Sequence, residues 1–251
     1  MNTYKLLAER YEELFPPSRS QISFISRMIS RDLPRSGRLL DIGCGTGALA
    51  AALIGKIGKE PDRELRIDAI DLDQAMIDTG KRLHAGTPGL HFHRMDMRKI
   101  GTRFSPERFH GAVSMGNTLV HLDGPESITA FFRSVHSLLG KSALFILQIL
   151  NYDYILEKKI FDLPPITIPG LQFTRRYQED PDGVHIIFET TLKDQATGEI
   201  SRGNTVLYPL RKTELMDTLS SAGFSQFEIY GSFDGAPLTA DSLPLIAAVY
   251  S

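Results

Sequence analysis

A run of alternating glycines that follows directly on an apolar stretch is the feature that most constrains the fold. Residues 39–42 are typical of a short buried strand, Gly43, Gly45 and Gly47 follow, and residues 48–54 favour a helix. A strand that turns at once into a helix brings backbone N–H groups and a helix N-terminus to the strand end. Glycine removes the Cβ that would hold a ligand away. We therefore expect an α/β fold with a nucleotide-binding turn here.

From residue 39 to about residue 150 the chain alternates between strand-like and helix-like segments. This alternation is typical of a parallel sheet covered by helices on both faces. Two helices are predicted before it, and Pro16 and Pro17 separate them. Gly140 is expected to end the last helix of this region as the residue just beyond it. The predicted helices are 4–15, 18–33, 74–83 and 125–139, and the predicted strands after the glycine turn are 65–71, 90–95, 109–115 and 143–150.

Beyond residue 150 the pattern changes to β-rich runs without intervening helices. A helical turn at 151–156 is expected to end at the prolines at 164, 165 and 169. Turn-forming residues then separate three predicted strands, which we expect to form a small antiparallel layer inserted over the sheet. The runs are 171–177, 184–193 and 199–208, and a helix at 213–222 and strands at 224–230 and 243–250 close the chain. The expected single domain comprises a helical cap (1–36), a cofactor-binding core (37–150), an inserted cap (151–210) and a closing unit (211–251).

Composition and charge disfavour several kinds of partner. The formal net charge of −2 gives no electrostatic footprint for nucleic acid or for an anionic membrane surface. Cys44 is the single cysteine, so a disulfide framework and a cysteine-based metal site are excluded, and a reducing cytoplasm fits. We interpret it as a small packing residue. No run reaches the roughly 18 apolar residues of a membrane span. The expectation is a cytoplasmic protein with no metal, nucleic-acid or membrane partner.

The glycine string alone fits two cofactors. Gly43-x-Gly45-x-x-Ala48, with Asp71 at the end of the next strand, matches the fingerprint of dinucleotide-binding dehydrogenases. Asp41 and Asp96 instead favour S-adenosylmethionine, because Asp96 closes the third strand and could accept from an adenine amino group while Asp71 takes the ribose hydroxyls. The chain also lacks a second mononucleotide-binding half. An NAD(P)-dependent oxidoreductase and a non-catalytic S-adenosylmethionine-binding protein remain the alternatives.

The segment 41–47 resembles motif I of the class I S-adenosylmethionine-dependent methyltransferases. That resemblance implies a Rossmann-like sheet, mostly parallel with the last strand antiparallel, helices on both faces and a small antiparallel β insertion. Segments 115–122, 151–156, 208–223 and 230–233 are similar to parts of the glycine N-methyltransferase branch, and 151–156 is the most specific of them.

The resemblance also implies roles at the cofactor. Arg19 falls where the branch holds the methionine carboxylate, and Tyr11 falls where an aromatic ring packs on the cofactor. The turn would line the methionine portion, the acids at the next two strand ends would take the ribose and the adenine, and the end of the fourth strand would reach the junction with the acceptor. The implied cofactor residues are Tyr11, Arg19, Asp41, Gly43, Cys44, Gly45, Asp71, Leu72, Asp96, Met97, Met115 and Gly116.

On the acceptor side, Asn117 and His121 are the candidate catalytic residues. Methyl transfer from a sulfonium is an in-line displacement, so alignment and exclusion of water matter most. The Asn117 carbonyl oxygen is predicted to orient the acceptor, and His121 either assists deprotonation or serves as a hydrogen-bonded structural residue. The Asp/Asn-Pro-Pro-Tyr/Phe tetrad of nucleic-acid amino methyltransferases is absent at 117–120. A small-molecule acceptor is therefore expected.

One departure from the branch concerns substrate recognition. Leu150 stands where the resemblance implies an arginine that grips the substrate carboxylate, so the bidentate clamp for a small amino acid is missing. Arg175 or Arg176 in the inserted layer is a candidate replacement, although a solvated strand face also explains both. The candidate substrate residues are Leu150, Asn151, Tyr152 and Arg176. The sequence leaves open whether a nitrogen or an oxygen atom is methylated.

Overall fold

The structure, a computed structural model, describes residues 7–251. A seven-stranded sheet forms the centre of the molecule, in the order β10-β11-β5-β4-β1-β2-β3. All neighbouring strands are parallel except that β11 runs antiparallel to both β5 and β10. The prediction of a mostly parallel sheet with an antiparallel last strand is confirmed. Its strands are β1 Ser36–Ile42, β2 Glu64–Asp71, β3 Leu90–Arg94, β4 Phe109–Ser114, β5 Leu139–Leu150, β10 Gln226–Tyr230 and β11 Pro244–Tyr250.

Helices cover both faces of this sheet because successive strand residues point to opposite sides. Leu39 packs with the helices of one face and Leu40 with those of the other, and both are almost fully buried. The first face holds α2 (Arg19–Asp32) and α3 (Ala48–Ile57), and the second holds α6 (Gly124–Leu138) and α8 (Lys212–Ser221). The remaining helices are α1 Tyr11–Leu14, α4 Gln74–Leu83, α5 Ile100–Arg103 and α7 Tyr152–Glu157, with 3₁₀ turns at Met97–Lys99 and Thr118–His121.

The inserted layer is a separate sheet of four antiparallel strands, in the order β6-β7-β8-β9. The sequence predicted three. The missed strand is β6, which contains Pro164 and Pro165. It lies at the edge of the sheet, and the pairing with β7 shifts between Leu163 and Ile166, so the missing proline N–H groups interrupt no regular ladder. The strands are β6 Asp162–Ile168, β7 Leu171–Glu179, β8 Ile186–Asp194 and β9 Ile200–Leu207.

The prediction that Gly140 ends helix α6 as the residue beyond it is wrong. The helix ends at Leu138, Leu139 already has extended backbone angles, and β5 begins there. Leu139 pairs with Phe109 of β4, so strand pairing takes over immediately after the last helical turn. Gly140 therefore lies within a strand and caps nothing.

The N-terminal segment connects the two sheets. Of the helix predicted at 4–15, residues 4–6 lie outside the described part of the chain, and the described part breaks at Arg10 before α1 begins. Arg10 donates from Nη2 to the carbonyl oxygen of Pro169 at 3.0 Å. Phe15 stacks edge-on against Phe173 of β7, with ring centroids 5.6 Å apart. Leu14 is buried in the same cluster. In residues 7–251 no helix is long and apolar enough to cross a membrane.

Two helical glycines give a matched test of how tightly α4 is packed. A Cβ on Gly80 would lie 2.5 Å from the Thr46 carbonyl oxygen and 2.8 Å from Phe92, whereas a Cβ on Gly55 of α3 would meet nothing within 4 Å. Gly80→Ala is expected to lower the free energy of unfolding by roughly 1–3 kcal/mol through overpacking. Gly55→Ala should raise it by about 0.5–1 kcal/mol, because alanine favours the helix. Urea denaturation of both variants measures this, and equal effects would contradict the packing described.

Candidate active site

The glycine turn between β1 and α3 is enclosed by three other segments. All three of its glycines have positive φ, at 73°, 56° and 79°. A Cβ on Gly43 would lie 2.4 Å from the Thr118 side chain, and one on Gly47 would lie 2.5 Å from Phe92. A Cβ on Gly45 would lie 3.0 Å from the Tyr11 ring. Glycine is therefore required by both backbone conformation and space.

The N–H groups of this turn are used inside the protein. Gly43 and Cys44 both donate to the Ile70 carbonyl oxygen at 2.9 Å, and Gly47 donates to the Cys44 carbonyl oxygen at 2.9 Å. Gly45 donates to Asp71 Oδ2 at 2.9 Å. The sequence pattern predicted that such groups face a ligand. A pyrophosphate-binding turn offers its N–H groups to the phosphates. Four donors of this turn are already satisfied, which disfavours a dinucleotide.

Asp41 offers an unpaired carboxylate at the end of β1. It is 3% exposed, no described residue donates a hydrogen bond to it, and its Oδ2 is fully buried. Burial, with a smaller contribution from the charge of Asp71, raises the pKa of Asp41 to about 7. A buried acceptor without a donor is costly, so it favours a ligand that brings one. The amino group of a bound S-adenosylmethionine is such a donor, and this fit supports that cofactor at the turn.

Asp71 is positioned by the turn itself. Its Oδ2 accepts from Gly45, and its Oδ1 accepts from the Asp73 N–H at 2.9 Å. Burial raises its pKa, and these backbone hydrogen bonds oppose that shift. Each carboxylate oxygen keeps capacity for another donor, which is what two ribose hydroxyls require. The next residue, Leu72, is 60% exposed, so its side chain is accessible to a flat ligand.

Helix α1 lies directly on the glycine turn. The half-buried Tyr11 ring covers Gly45, and burial raises the pKa of its hydroxyl to about 12. Glu12 Oε1 accepts from Thr46 Oγ1 at 2.8 Å and lies 2.8 Å from His84 Nε2. Cys44 lines the same space, and burial raises the pKa of its thiol well above the ordinary value. A thiol held in its protonated form acts as a packing group and is a poor nucleophile.

The turn opens into a cavity of about 770 Å³ that continues to the inserted sheet. Asp41, Gly43 and Cys44 line one end, and the inner faces of β7, β8 and β9 line the other. Between them lie Met115, Gly116, Asn117, Thr118, His121 and Leu150. One continuous space therefore reaches from the glycine turn, past the end of β4, to the inserted layer.

Six of the predicted cofactor residues do not line this cavity, namely Arg19, Gly45, Asp71, Leu72, Asp96 and Met97. Arg19 is the exposed first residue of α2, and it does not line the cavity, although its neighbour Gln21 does. Asp96 caps the 3₁₀ turn after β3 and forms an ion pair with Arg98. Met97 packs partly buried against the core. Their cofactor roles remain predictions, and Asp73 and Met76, which do line the cavity, were missed.

The Asn117 side chain holds two parts of the site together. It has the left-handed backbone conformation, with φ 68°. Its Nδ2 donates to the Tyr152 hydroxyl at 2.8 Å, and its Oδ1 accepts from the Leu150 N–H at 3.0 Å. Both ends of the amide have protein partners, so one N–H and one lone pair of the oxygen remain for a methyl acceptor. The geometry therefore favours a positioning role over the direct one that the sequence suggested.

His121 is differently placed. Its side chain lines the cavity, and no described residue hydrogen-bonds to its imidazole. The side chain is exposed toward the cavity, and partial desolvation there lowers its pKa below the ordinary histidine value. A neutral ring at pH 7 that faces a cavity is suited to accepting a proton. The hydrogen-bonded structural alternative has no partner to support it in the described part of the chain.

The predicted substrate residues separate into two groups. Leu150 lines the cavity, whereas Tyr152 is buried behind it and Asn151 caps α7. Arg176 is on the outer face of β7 and pairs with Asp162 at 3.4 Å. Its neighbour Arg175 lines the cavity instead. The alternation of Leu171, Phe173, Arg175 and Tyr177 is the signal that assigns Arg175 to the inner face.

Comparisons with known proteins agree on one family. Residues 39–142 match a family model described as a methyltransferase domain. The glycine/sarcosine N-methyltransferase of Aphanothece halophytica is 26% identical over 199 residues, which cover 78% of this chain and 69% of that protein. Over this region the chain is similar to S-adenosylmethionine-dependent methyltransferases. The expected enzyme class and cofactor are thereby confirmed, and the oxidoreductase alternative is set aside.

Further comparisons concern one more curated relative and the fold of solved structures. YqeM of Bacillus subtilis (strain 168), which is named as a methyltransferase, is 25% identical over 146 residues. These residues cover 58% of this chain and 55% of that protein. The match thus spans about half of that relative. A crystal structure of an S-adenosylmethionine-dependent methyltransferase from Clostridium acetobutylicum has a TM-score of 0.80 at 15% identity, with 99% of each chain covered. An amino pentose methyltransferase from Micromonospora echinaspora, solved with S-adenosylmethionine bound, has a TM-score of 0.66 at 17% identity, covering 99% of this chain and 97% of that one.

The unpaired carboxylate of Asp41 predicts an unusual pH dependence for this methyltransferase. Its pKa is raised in the folded state, so between about pH 4 and pH 7 the unfolded chain ionises there and the folded chain does not. The ligand-free protein should lose stability across this window as pH rises. Asp41→Asn should remove the loss, and should raise the free energy of unfolding at pH 8 by on the order of 2–4 kcal/mol while weakening binding of S-adenosylhomocysteine.

Urea denaturation at pH 5 and pH 8, with calorimetric titration of S-adenosylhomocysteine, measures both effects. Asp68 is the matched control, because it is equally buried but accepts hydrogen bonds from Arg38 and His93, which lower its pKa. Asp68→Asn should destabilise the protein at neutral pH and leave cofactor affinity unchanged. A loss of stability at pH 8 in Asp41→Asn would contradict the unpaired state described.

Proposed function

We propose that this methyltransferase transfers a methyl group to a nitrogen or oxygen atom of a small molecule held between the glycine turn and the inserted sheet. The observation that carries the proposal is the single cavity that joins Gly43, His121 and Phe173. Its volume of about 770 Å³ lies within the range of pockets for small ligands, roughly 300–1,000 Å³. It is large enough for the reactive end of the cofactor together with a compact acceptor.

A nucleic-acid acceptor is disfavoured by the walls of this cavity. The acceptor end is bounded by β7, β8 and β9, and the N-terminal segment from Leu7 to Gln21 borders the other end. The net charge of −2 gives no general attraction to phosphates. A small acceptor needs neither an open groove nor a basic surface.

The chain's own residues supply binding, alignment and exclusion of water. We assign Asp41 to the amino group of the cofactor and Asp71 to its ribose, while Tyr11 and the glycine turn enclose the methionine portion. When bound, S-adenosylmethionine supplies a methyl group on a sulfonium sulfur, which is a good leaving group. Because the displacement is in line, the remaining task is to hold the acceptor opposite that sulfur in a space closed to water.

His121 is assigned the proton that leaves the acceptor. An amine or hydroxyl loses a proton around the time of methyl transfer, and a neutral imidazole in the cavity can take it. The lowered pKa of His121 keeps the ring neutral at pH 7. Nitrogen is the favoured target, because the glycine/sarcosine N-methyltransferase from Aphanothece halophytica acts on amines and aligns over most of this chain.

The proposed function is tested with the purified protein and labelled S-adenosylmethionine. Incubation with separate panels of amino acids, amino sugars, phenols and carboxylic acids should give methyl transfer to at least one class. Calorimetric titration with S-adenosylhomocysteine runs alongside. Tight binding without any methylated product would favour a non-catalytic cofactor-binding protein and overturn the proposal.

The role of His121 predicts a change in the pH profile. In the wild type, kcat/KM should be level at pH 7 and fall only below the ordinary histidine pKa, because partial desolvation lowers the pKa of His121. His121→Gln should reduce kcat/KM by about 10²-fold at pH 7 and remove this acid limb. His91→Gln is the control, since His91 is exposed on β3. An unchanged acid limb in His121→Gln would assign the proton to another group.

A further inference from the structure

Arg175 lies on the inner face of the inserted sheet, where the protein provides few groups that stabilise its positive charge. It lies on β7 between Phe173 and Tyr177, and it pairs across the sheet with Thr190 of β8. All four residues line the cavity. Inner-face positions on both sides of it are apolar or neutral. A guanidinium in this position is desolvated, and burial lowers its pKa, yet it remains charged at neutral pH.

The hydrogen bonds of Arg175 leave most of its donors unused. Its Nη2 donates to the Pro164 carbonyl oxygen at 2.9 Å, and this is the one acceptor that the described residues provide. Its Nε is buried and has no partner. The Phe15 and Phe173 rings lie with their centroids 5.9 and 6.0 Å from the guanidinium carbon. These contacts fix the side chain in place but supply no negative charge.

The charged side chains that line the acceptor end of the cavity are all positive. Residues 163–207 contribute two arginines to the cavity lining, Arg175 and Arg202, and no aspartate or glutamate. The acids that line the cavity, Asp41 and Asp73, belong to the glycine turn and to the start of α4. Among the described residues, Arg175 has no carboxylate partner. By contrast, Arg176 on the outer face of the same strand pairs with Asp162.

We infer that Arg175 binds a carboxylate of the methyl acceptor, so that the substrate is a small amino or hydroxy acid, and this inference rests on the proposed function. A carboxylate matches the planar donor edge of a guanidinium and would supply the missing charge. A phosphate ester fits less well, because a dianion requires more donors than one partly used arginine offers. Leu150 and the aromatic rings of the cavity receive the apolar part of the acceptor.

The test compares acceptors that differ only in this charge. Glycine, phenylalanine and 4-hydroxybenzoate are each offered with labelled S-adenosylmethionine beside glycinamide, phenylalaninamide and 4-hydroxybenzamide, and O-phosphoethanolamine forms a separate arm. At least one acid should be methylated, and its amide should have a kcat/KM at least about 30-fold lower. Methylation of an amide as fast as its acid, or of O-phosphoethanolamine in preference to every acid, overturns the carboxylate assignment.

Substitution of Arg175 tests the residue itself. Arg175→Met should raise the KM for the accepted acid by about 30-fold or more, leave the amide unaffected, and leave the affinity for S-adenosylhomocysteine unchanged. Arg175→Lys should recover part of the loss, because it keeps the charge without the bidentate edge. Lys193→Met removes a charge from the outer side of β8 and should change nothing.

Calorimetry and thermal denaturation separate the possible failures. If Arg175→Met keeps its cofactor affinity and melting temperature but also keeps its KM for the acid, the inference is wrong while the proposed function stands. If Arg176→Met raises that KM and Arg175→Met does not, the outer arginine binds the acid and the inference is again wrong. If no compound in any panel is methylated by the wild type, the proposed function itself fails.

Discussion

The close enclosure of the glycine turn is the constraint on which the rest of the site depends. Gly43, Gly45 and Gly47 each face a different segment at a distance that excludes a Cβ: the 3₁₀ turn after β4, helix α1 and strand β3. Gly80 brings α4 against the carbonyl oxygen of Thr46 in the same way. Four elements are thereby fixed around the five residues 43–47. The carboxylates of Asp41 and Asp71 then take their positions from the turn, and the place of the cofactor follows from theirs.

On the acceptor side, one amide and two packed tyrosines have the corresponding function. The Asn117 amide joins the end of β4 to the end of β5 and to Tyr152. The Tyr152 ring packs edge-on against Tyr177 of the inserted sheet, with ring centroids 6.2 Å apart. Burial raises the pKa of both hydroxyls, so neither carries a charge at neutral pH. Uncharged groups therefore connect the two sheets beside His121.

Much of the fold could be predicted from local patterns, and the exceptions have physical causes. Helix Gln74–Leu83 has the predicted bounds because Asp73 caps it through its side chain. Strand β6 was missed because its prolines are tolerated only at an edge, and edge position is a property of the sheet. Gly140 was misassigned because pairing of Leu139 with Phe109 depends on a distant strand. The partners of Asn117 likewise arise only once separate segments meet, whereas the alternation of apolar residues along β7 already indicates the inward position of Arg175.

The separation of the two sheets has a consequence for how such an enzyme changes over evolutionary time. Strands β6 to β9 pair only with one another, and the main sheet pairs independently of them. Substitutions on the inner face of the inserted layer therefore alter the acceptor end of the cavity without disturbing the register of β1 or the enclosed glycines. Most of the glycine turn tolerates no side chain, whereas positions such as Thr190 and Thr205 are free of that restriction. The inserted layer can therefore accept substitutions that change the acceptor end of the cavity while the backbone of the glycine turn stays the same.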